Sequence, residues 1–168
     1  NSVTKIDEDA FLNCNNLQTV YIGKGTVDSF SDVFKNLNVQ TVNITSGGIR
    51  KIKEETFMDC QSLVTVNIPI TVRAIGKRAF MGCINLRDVN INPDINEEPG
   101  INPAIFEVGE MAFMVCPNLE NVNIPENITR INRYAFLGCT SLQRVYIPDN
   151  VRRIGGYAFL GCINLENI

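Results

Sequence analysis

The chain has 168 residues and contains no histidine and no tryptophan. Without an imidazole there is no Ser–His–Asp or Cys–His arrangement, and the commonest general base at neutral pH is missing. Zinc likewise loses its usual nitrogen ligand, and no C-x-x-C pair is present to replace it. No run of about 18 apolar residues occurs, so no helix of this chain spans a membrane. Glycine loops that cradle phosphate, the dinucleotide fingerprint and the EF-hand pattern are all absent. Charge of either sign is modest: 15 basic residues against 18 acidic ones leave a net −3. That bias is too small to imply a strongly charged partner. Paired acids do occur at Asp7-Glu8-Asp9, Glu54-Glu55 and Glu97-Glu98. They fall in turn segments and read as solvated charge. The chain is therefore read as non-enzymatic, with no cofactor and no metal.

What is present is repetition. Phenylalanine stands at Phe11, Phe34, Phe57, Phe80, Phe113, Phe136 and Phe159, spaced 23 residues apart except for one gap of 33. Around each lies a unit of the form I-x-x-x-A-F-x-x-C-x-x-L-x-x-V-x-I, clearest from Ile131 to Ile147. One unit is degenerate: near Phe34, Leu37 takes the cysteine position and Val39 comes one residue early for the leucine. A period of about 20–29 residues with Leu and Val at these places marks a leucine-rich solenoid.

The unit predicts its own coil. In L-x-x-V-x-I the final apolar residues alternate, so Val20 and Ile22 face one way and Thr19 and Tyr21 the other, which is a half-buried strand. A strand this short is stable only when stacked beside its copies, about 4.8 Å per coil, as a parallel sheet. A second apolar pair, three residues apart, precedes each Phe: Val3/Ile6, Ile49/Ile52, Val72/Ile75, Ile105/Val108, Ile128/Ile131 and Val151/Ile154. It predicts a second, shorter strand on the opposite side. Between the two, A-F-x-x-C-x-x-L turns the chain, and a single helical or 3₁₀ turn would point Phe, Cys and Leu inward together. The expected fold is a leucine-rich repeat solenoid, α/β or mainly β. It is a right-handed coil of about seven 23-residue repeats with a parallel sheet on its concave face, forming one domain over residues 1–168.

The segments VNIPITVRAIGKRAFMGC (Val66 to Cys83) and VYIPDNVRRIGGYAFLGC (Val145 to Cys162) resemble the BspA-like, or Treponema-type, leucine-rich repeat family. The resemblance covers essentially the whole chain outside one insertion. It implies a surface or secreted protein that takes part in adhesion or binds host proteins. Because Ile168 falls in mid-strand and no polar capping unit is evident, the chain is expected to be an excerpt of a longer array.

Two features depart from the bare repeat. The first is the gap of 33: about ten extra residues lie within NPDINEEPGINPA, Asn92 to Ala104. Its Pro, Gly and acids read as an exposed loop bulging from a continuous sheet. The second is the set of six cysteines, Cys14, Cys60, Cys83, Cys116, Cys139 and Cys162, all at one position of the unit. That spacing predicts a ladder of buried free thiols packing as small apolar groups, not disulfides or a metal site. The presence of Leu37 in the series suggests that the position asks for apolarity, not sulfur.

Two faces are candidates for binding. The outward side of the main sheet carries one row of Thr19, Thr41, Thr65, Asp88, Asn121, Arg144 and Asn167. A second row runs Tyr21, Asn43, Asn67, Asn90, Asn123 and Tyr146. The four asparagines predict an amide ladder, and exposed tyrosines near its ends are favoured contact residues. Candidate partner-binding residues are thus Tyr21, Asn43, Asn67, Asn90, Asn123, Arg144 and Tyr146. The other face is a basic rail of Lys5, Arg50, Lys51, Arg73, Arg130, Arg152 and Arg153 on the second strand, diluted by Asp7, Glu8, Glu54, Glu55 and Glu107. Three readings follow: an adhesion or protein-interaction module using the sheet face, with an extracellular or host protein as partner; a module binding sulfated glycan or another polyanion through the rail; and a structural spacer with no partner. Nucleic acid is not expected, since the chain is net acidic and no aromatics interleave the rail. Asn43-Ile44-Thr45 and Asn127-Ile128-Thr129 match the glycosylation pattern.

Overall fold

The computed structural model describes residues 6, 7, 9–23, 33–45, 49–69, 71–92 and 106–168. Its strands in chain order are β1 (Thr19–Ile22), β2 (Thr41–Ile44), β3 (Lys51–Ile52), β4 (Thr65–Pro69), β5 (Ala74–Ile75), β6 (Asp88–Asn92), β7 (Phe106–Val108), β8 (Asn121–Val122), β9 (Ile128–Ile131) and β10 (Arg153–Ile154). They form two parallel five-stranded sheets, β1-β2-β4-β6-β8 and β3-β5-β7-β9-β10. Equivalent positions of successive repeats lie side by side. Thr19 pairs with Thr41, Thr41 with Thr65, Thr65 with Asp88 and Asp88 with Asn121. The chain is a mainly β solenoid, and among the described residues there is no helix.

The absence of a helix at A-F-x-x-C corrects the expectation of a helical turn, and backbone torsions explain it. In units three to seven the residue before the Ala or Thr is left-handed: Glu55, Arg78, Met111, Tyr134 and Tyr157 have φ between 54° and 60°. So is the residue before the cysteine, at Asp59, Val115, Gly82, Gly138 and Gly161. Two left-handed corners four residues apart cannot sit in a right-handed helix. Between and after them the turns close by i→i−3 bonds, such as Met58 N–H to the Glu55 carbonyl (3.1 Å) and Cys60 N–H to the Phe57 carbonyl (3.2 Å). The corners also aim N–H groups at the next coil. Glu55, Phe57 and Asp59 donate to the carbonyls of Lys77, Ala79 and Met81 at 3.0, 2.8 and 2.8 Å. A third backbone ladder thus joins the coils at the bend.

The repeat count needs a correction too. About seven units are legible in the sequence, but among the described residues the main sheet has five strands, and units six and seven add an isolated bridge, Arg144 to Asn167. From β2 to β6 the outward row carries amides that bond across strands, whereas Arg144 and Tyr146 form no such bond among the described residues. Val3, Lys5, Glu8, Ile105 and the loop over 93–104 lie outside the described residues.

Inside the coil the phenylalanines stack as a column. Ring centroids are 5.7 Å apart for Phe34–Phe57, 5.1 Å for Phe57–Phe80, and 5.2–5.3 Å for Phe80–Phe113, Phe113–Phe136 and Phe136–Phe159. The four rings Phe57, Phe80, Phe113 and Phe136 are fully buried. Each contributes about 1.5–3 kcal/mol by leaving water, and ring stacking adds to that. Close approach of backbones matters at Gly109: a Cβ there would lie 2.6 Å from the Gly76 carbonyl carbon of the coil before.

Candidate interaction surfaces

The outward face of the main sheet is a hydrogen-bonded surface. Asn67 Nδ2 donates to Asn43 Oδ1 (2.7 Å), and Asn90 Nδ2 donates to Asn67 Oδ1 (2.9 Å). In the neighbouring row Asn121 Nδ2 donates to Asp88 Oδ1 (3.2 Å). Strand register places Tyr21 beside Asn43, so the amide row ends on an aromatic side chain. Tyr21 is 71% exposed and Tyr146 63%. Asn123 lies past the end of β8 and is exposed, and no side-chain bond to Asn90 extends the ladder to it. The ladder therefore covers three of the four expected asparagines. Arg144 is exposed and meets Asn167 through the isolated bridge. Asn43, the first residue of its N-I-T triplet, is already committed to Asn67.

A second asparagine series went unread in the sequence. Asn38, Asn85, Asn118 and Asn164 each donate Nδ2 to a backbone carbonyl of the coil before, namely Asn15, Gln61, Ile84 and Thr140, at 2.7–3.0 Å. The signal was the recurring Asn-Leu dipeptide at Asn85-Leu86, Asn118-Leu119 and Asn164-Leu165.

The cysteine column has a chemistry that the sequence reading denied it. Cys83, Cys116, Cys139 and Cys162 each donate S–H to the carbonyl of a Phe in the preceding coil: Phe57, Phe80, Phe113 and Phe136, at 3.0–3.2 Å. The Phe57, Phe80 and Phe136 carbonyls already accept the N–H of Cys60, Cys83 and Cys139, so the thiol fills a second lone pair. Sulfur is thus used as a donor, which Leu37 cannot imitate. All six thiols are free. Burial pushes Cys116 up to about 12, and burial followed by neighbouring thiols raises Cys83 and Cys139 as well. Cys162 is only partly buried, and that burial raises it too; Cys14 is exposed, contrary to the expectation of a ladder buried throughout. No described coil lies before Cys14 to cover it.

The basic rail is broken. Register sets Lys51 beside Ala74, Ala74 beside Glu107, Glu107 beside Arg130, and Arg130 beside Arg153. Arg50 and Arg73 lie alongside, with Arg73 N–H donating to the Arg50 carbonyl (2.7 Å), and Arg152 N–H donates to the Thr129 carbonyl (2.9 Å). The six described rail residues therefore fall into two groups separated by Ala74 and Glu107. Near the first group a shallow polar groove of about 270 Å³ is lined by Lys51, Glu54, Lys77, Glu107, Glu110 and Asn132, among others. Its signs are mixed, and among the described residues no cluster of acids or thiols could hold a metal ion. No described helix is long and apolar enough to cross a membrane.

Comparison with known proteins bears on the whole chain. A family model described as BspA type leucine rich repeat region matches residues 1–107 and 106–168, in six copies. Among solved structures, a leucine rich cell surface protein from Faecalibacterium prausnitzii superposes with a TM-score of 0.67 at 26% identity, covering 90% of this chain and 47% of that one. The leucine rich repeat protein of T. pallidum gives 0.64 at 26% identity, covering 88% and 62%. A leucine-rich repeat protein from Bacteroides ovatus gives 0.53 at 20% identity, which speaks to the fold alone. The chain thus spans 47% and 62% of the length of the first two structures it matches. No curated protein matches it.

Proposed function

Because the chain belongs to the BspA-type leucine-rich repeat family, we propose that it acts as a non-enzymatic adhesion module at a cell surface or in secreted form, binding an extracellular or host protein through the outward face of its main sheet. The observation that carries the reading is the in-register row Tyr21–Asn43–Asn67–Asn90. Its amides are locked to one another before any partner arrives. A surface ordered in advance has less side-chain freedom to lose on binding. Tyrosine at its edge supplies a large contact area with few rotors. The location is supported by the likeness to a bacterial cell surface protein.

The test is binding of the chain to an array of extracellular matrix proteins at about 50 and about 300 mM salt. A protein hit that persists at high salt and weakens about tenfold in Tyr21→Ala or Tyr146→Ala supports the reading. A hit that ignores both substitutions removes the sheet face from it. Uniform indifference of every matrix protein leaves the spacer reading in its place.

A further inference from the structure

We propose that the last two coils carry a separate site for a linear sulfated glycan, built from Arg130, Arg152 and Arg153 on the second sheet and Arg133 at the bend that follows. All four side chains are exposed, and among the described residues none of them forms an ion pair. The paired bases lie elsewhere, at Lys35–Asp59, Lys77–Glu110 and Arg78–Glu55.

The register concentrates this charge. Arg130 and Arg153 are direct neighbours across β9 and β10, so their Cα atoms stand about 4.8 Å apart. Like charges opposite one another repel, and among the described residues no acid forms an ion pair with either of them. Glu107 borders Arg130 on the other side, and Asn132 Nδ2 holds its carboxylate at 3.1 Å. It marks the edge of the patch. Arg133 is held in place: its guanidinium lies 4.5 Å from the centroid of the Tyr134 ring and 5.8 Å from that of Tyr157, and it donates to the Tyr134 hydroxyl. Tyr134 and Tyr157 stack on each other at 5.5 Å. The result is a row of guanidinium forks, each suited to a bidentate oxyanion.

A small anion would engage a single fork. A chain molecule with sulfates at short intervals would engage several forks at once. Nucleic acid fits less well, because the two tyrosine rings spend their facing sides on one another and Arg133, leaving a poor platform for bases. The chain's net charge of −3 also opposes a wide polyanion that would extend beyond two coils.

The experiment measures binding of the 168-residue chain to immobilised heparin fragments, with de-sulfated heparin and single-stranded DNA as comparison probes. The chain is expected to bind the sulfated probe with an affinity that falls steeply between about 50 and about 300 mM salt. Arg130→Glu/Arg153→Glu is expected to weaken binding by at least about tenfold. Arg50→Glu/Lys51→Glu, which changes net charge equally at the other end of the rail, should leave it within about twofold. Thermal unfolding of each variant checks the fold, and Arg130→Gln/Arg153→Gln replaces the reversal if that variant is unfolded. Equal losses in the two double variants overturn the proposal, as does equal binding to de-sulfated heparin. Tighter binding to DNA than to heparin overturns the glycan assignment. Since none of these variants touches Tyr21 or Tyr146, loss of matrix-protein binding and loss of heparin binding remain separable.

Discussion

The hexapeptide YAFLGC occurs twice, at Tyr134–Cys139 and at Tyr157–Cys162, and the two copies share a backbone but not an environment. Their corners match: φ is 59° at Tyr134 and 60° at Tyr157, 77° at Gly138 and 79° at Gly161. Their burial does not. Phe136 and Cys139 are fully buried, whereas Phe159 and Cys162 are only partly so, and Leu160 is 56% exposed. The N–H groups of Tyr134, Phe136 and Gly138 donate to the carbonyls of Gly156, Ala158 and Leu160 in the following coil. Among the described residues, those of the second copy have no such acceptor. The bend is therefore written in the local sequence, while burial is supplied by the neighbouring coil. That is the nearest-neighbour energetics of a solenoid seen in one repeated peptide.

The largest expected contrast is in thiol reactivity. Cys14 and Cys162 should react with a thiol reagent in the native protein. Cys83, Cys116 and Cys139 should wait for unfolding, slower by at least about a thousandfold, because the reagent reaches them only in an opened state. Raised proton affinity deepens the difference, since the thiolate is the reacting form. Mass-resolved labelling after a short pulse reads it directly. Even labelling of all six would break the comparison and show that the coils open independently.

Next is the phenylalanine column. Phe136→Ala should cost about 3–5 kcal/mol in urea unfolding, through lost burial and a cavity between Phe113 and Phe159. Phe159→Ala removes the same atoms from a half-open position and should cost roughly half as much. Equal costs would mean that the last coil is covered in solution.

Much of this contrast could be read in advance, and some could not. A period near 23 puts like positions side by side, and once the early Val39 of the degenerate unit is allowed for, the rows Thr19–Thr41–Thr65–Asp88 and Tyr21–Asn43–Asn67–Asn90 were legible in the sequence. The left-handed corners did not. The first is occupied by Glu55, Arg78, Met111, Tyr134 and Tyr157, none of them the glycine or asparagine that announces such a conformation. No single residue type marks this corner, and it recurs at Tyr157, whose N–H has no acceptor in a following coil among the described residues. The thiol's donor role was hidden for a related reason: a free cysteine and a small hydrophobe look alike until the carbonyl it faces is known. The break in the rail was legible in part, since Glu107 was counted as a diluting charge, but only register shows it seated between Ala74 and Arg130.

A smaller effect comes from pH. The buried thiols are held protonated in the folded state, with Cys116 near 12 and Cys83 and Cys139 also raised. In the unfolded chain they ionise near the ordinary value of about 8.5. Above that pH the unfolded state binds fewer protons than the folded one, so stability falls as pH rises. It is flat below about pH 8 and declines by up to about 1.4 kcal/mol per pH unit for each such thiol up to its folded value. Urea midpoints between about pH 7 and 11 test this. Cys139→Ala should make the decline shallower, whereas Cys162→Ala should change it little. A slope that ignores Cys139→Ala would sever the link between the column and the alkaline loss.

The smallest effect is one where the two copies should agree. Gly138→Ala and Gly161→Ala each place a Cβ in the left-handed region, with the nearest atoms at 3.9 and 3.5 Å, which is ordinary contact. Packing therefore contributes little at either site, and the conformational cost of about 1 kcal/mol remains. Asn13, Asp59 and Val115 occupy the equivalent corner in other repeats, so the conformation is open to residues with side chains. Equal destabilisation of the two variants in urea would place the bend in the local backbone. A cost that appears at Gly138 and vanishes at Gly161 would mean that the corner itself relaxes once no coil stacks above it, and the separation between bend and burial would have to be abandoned.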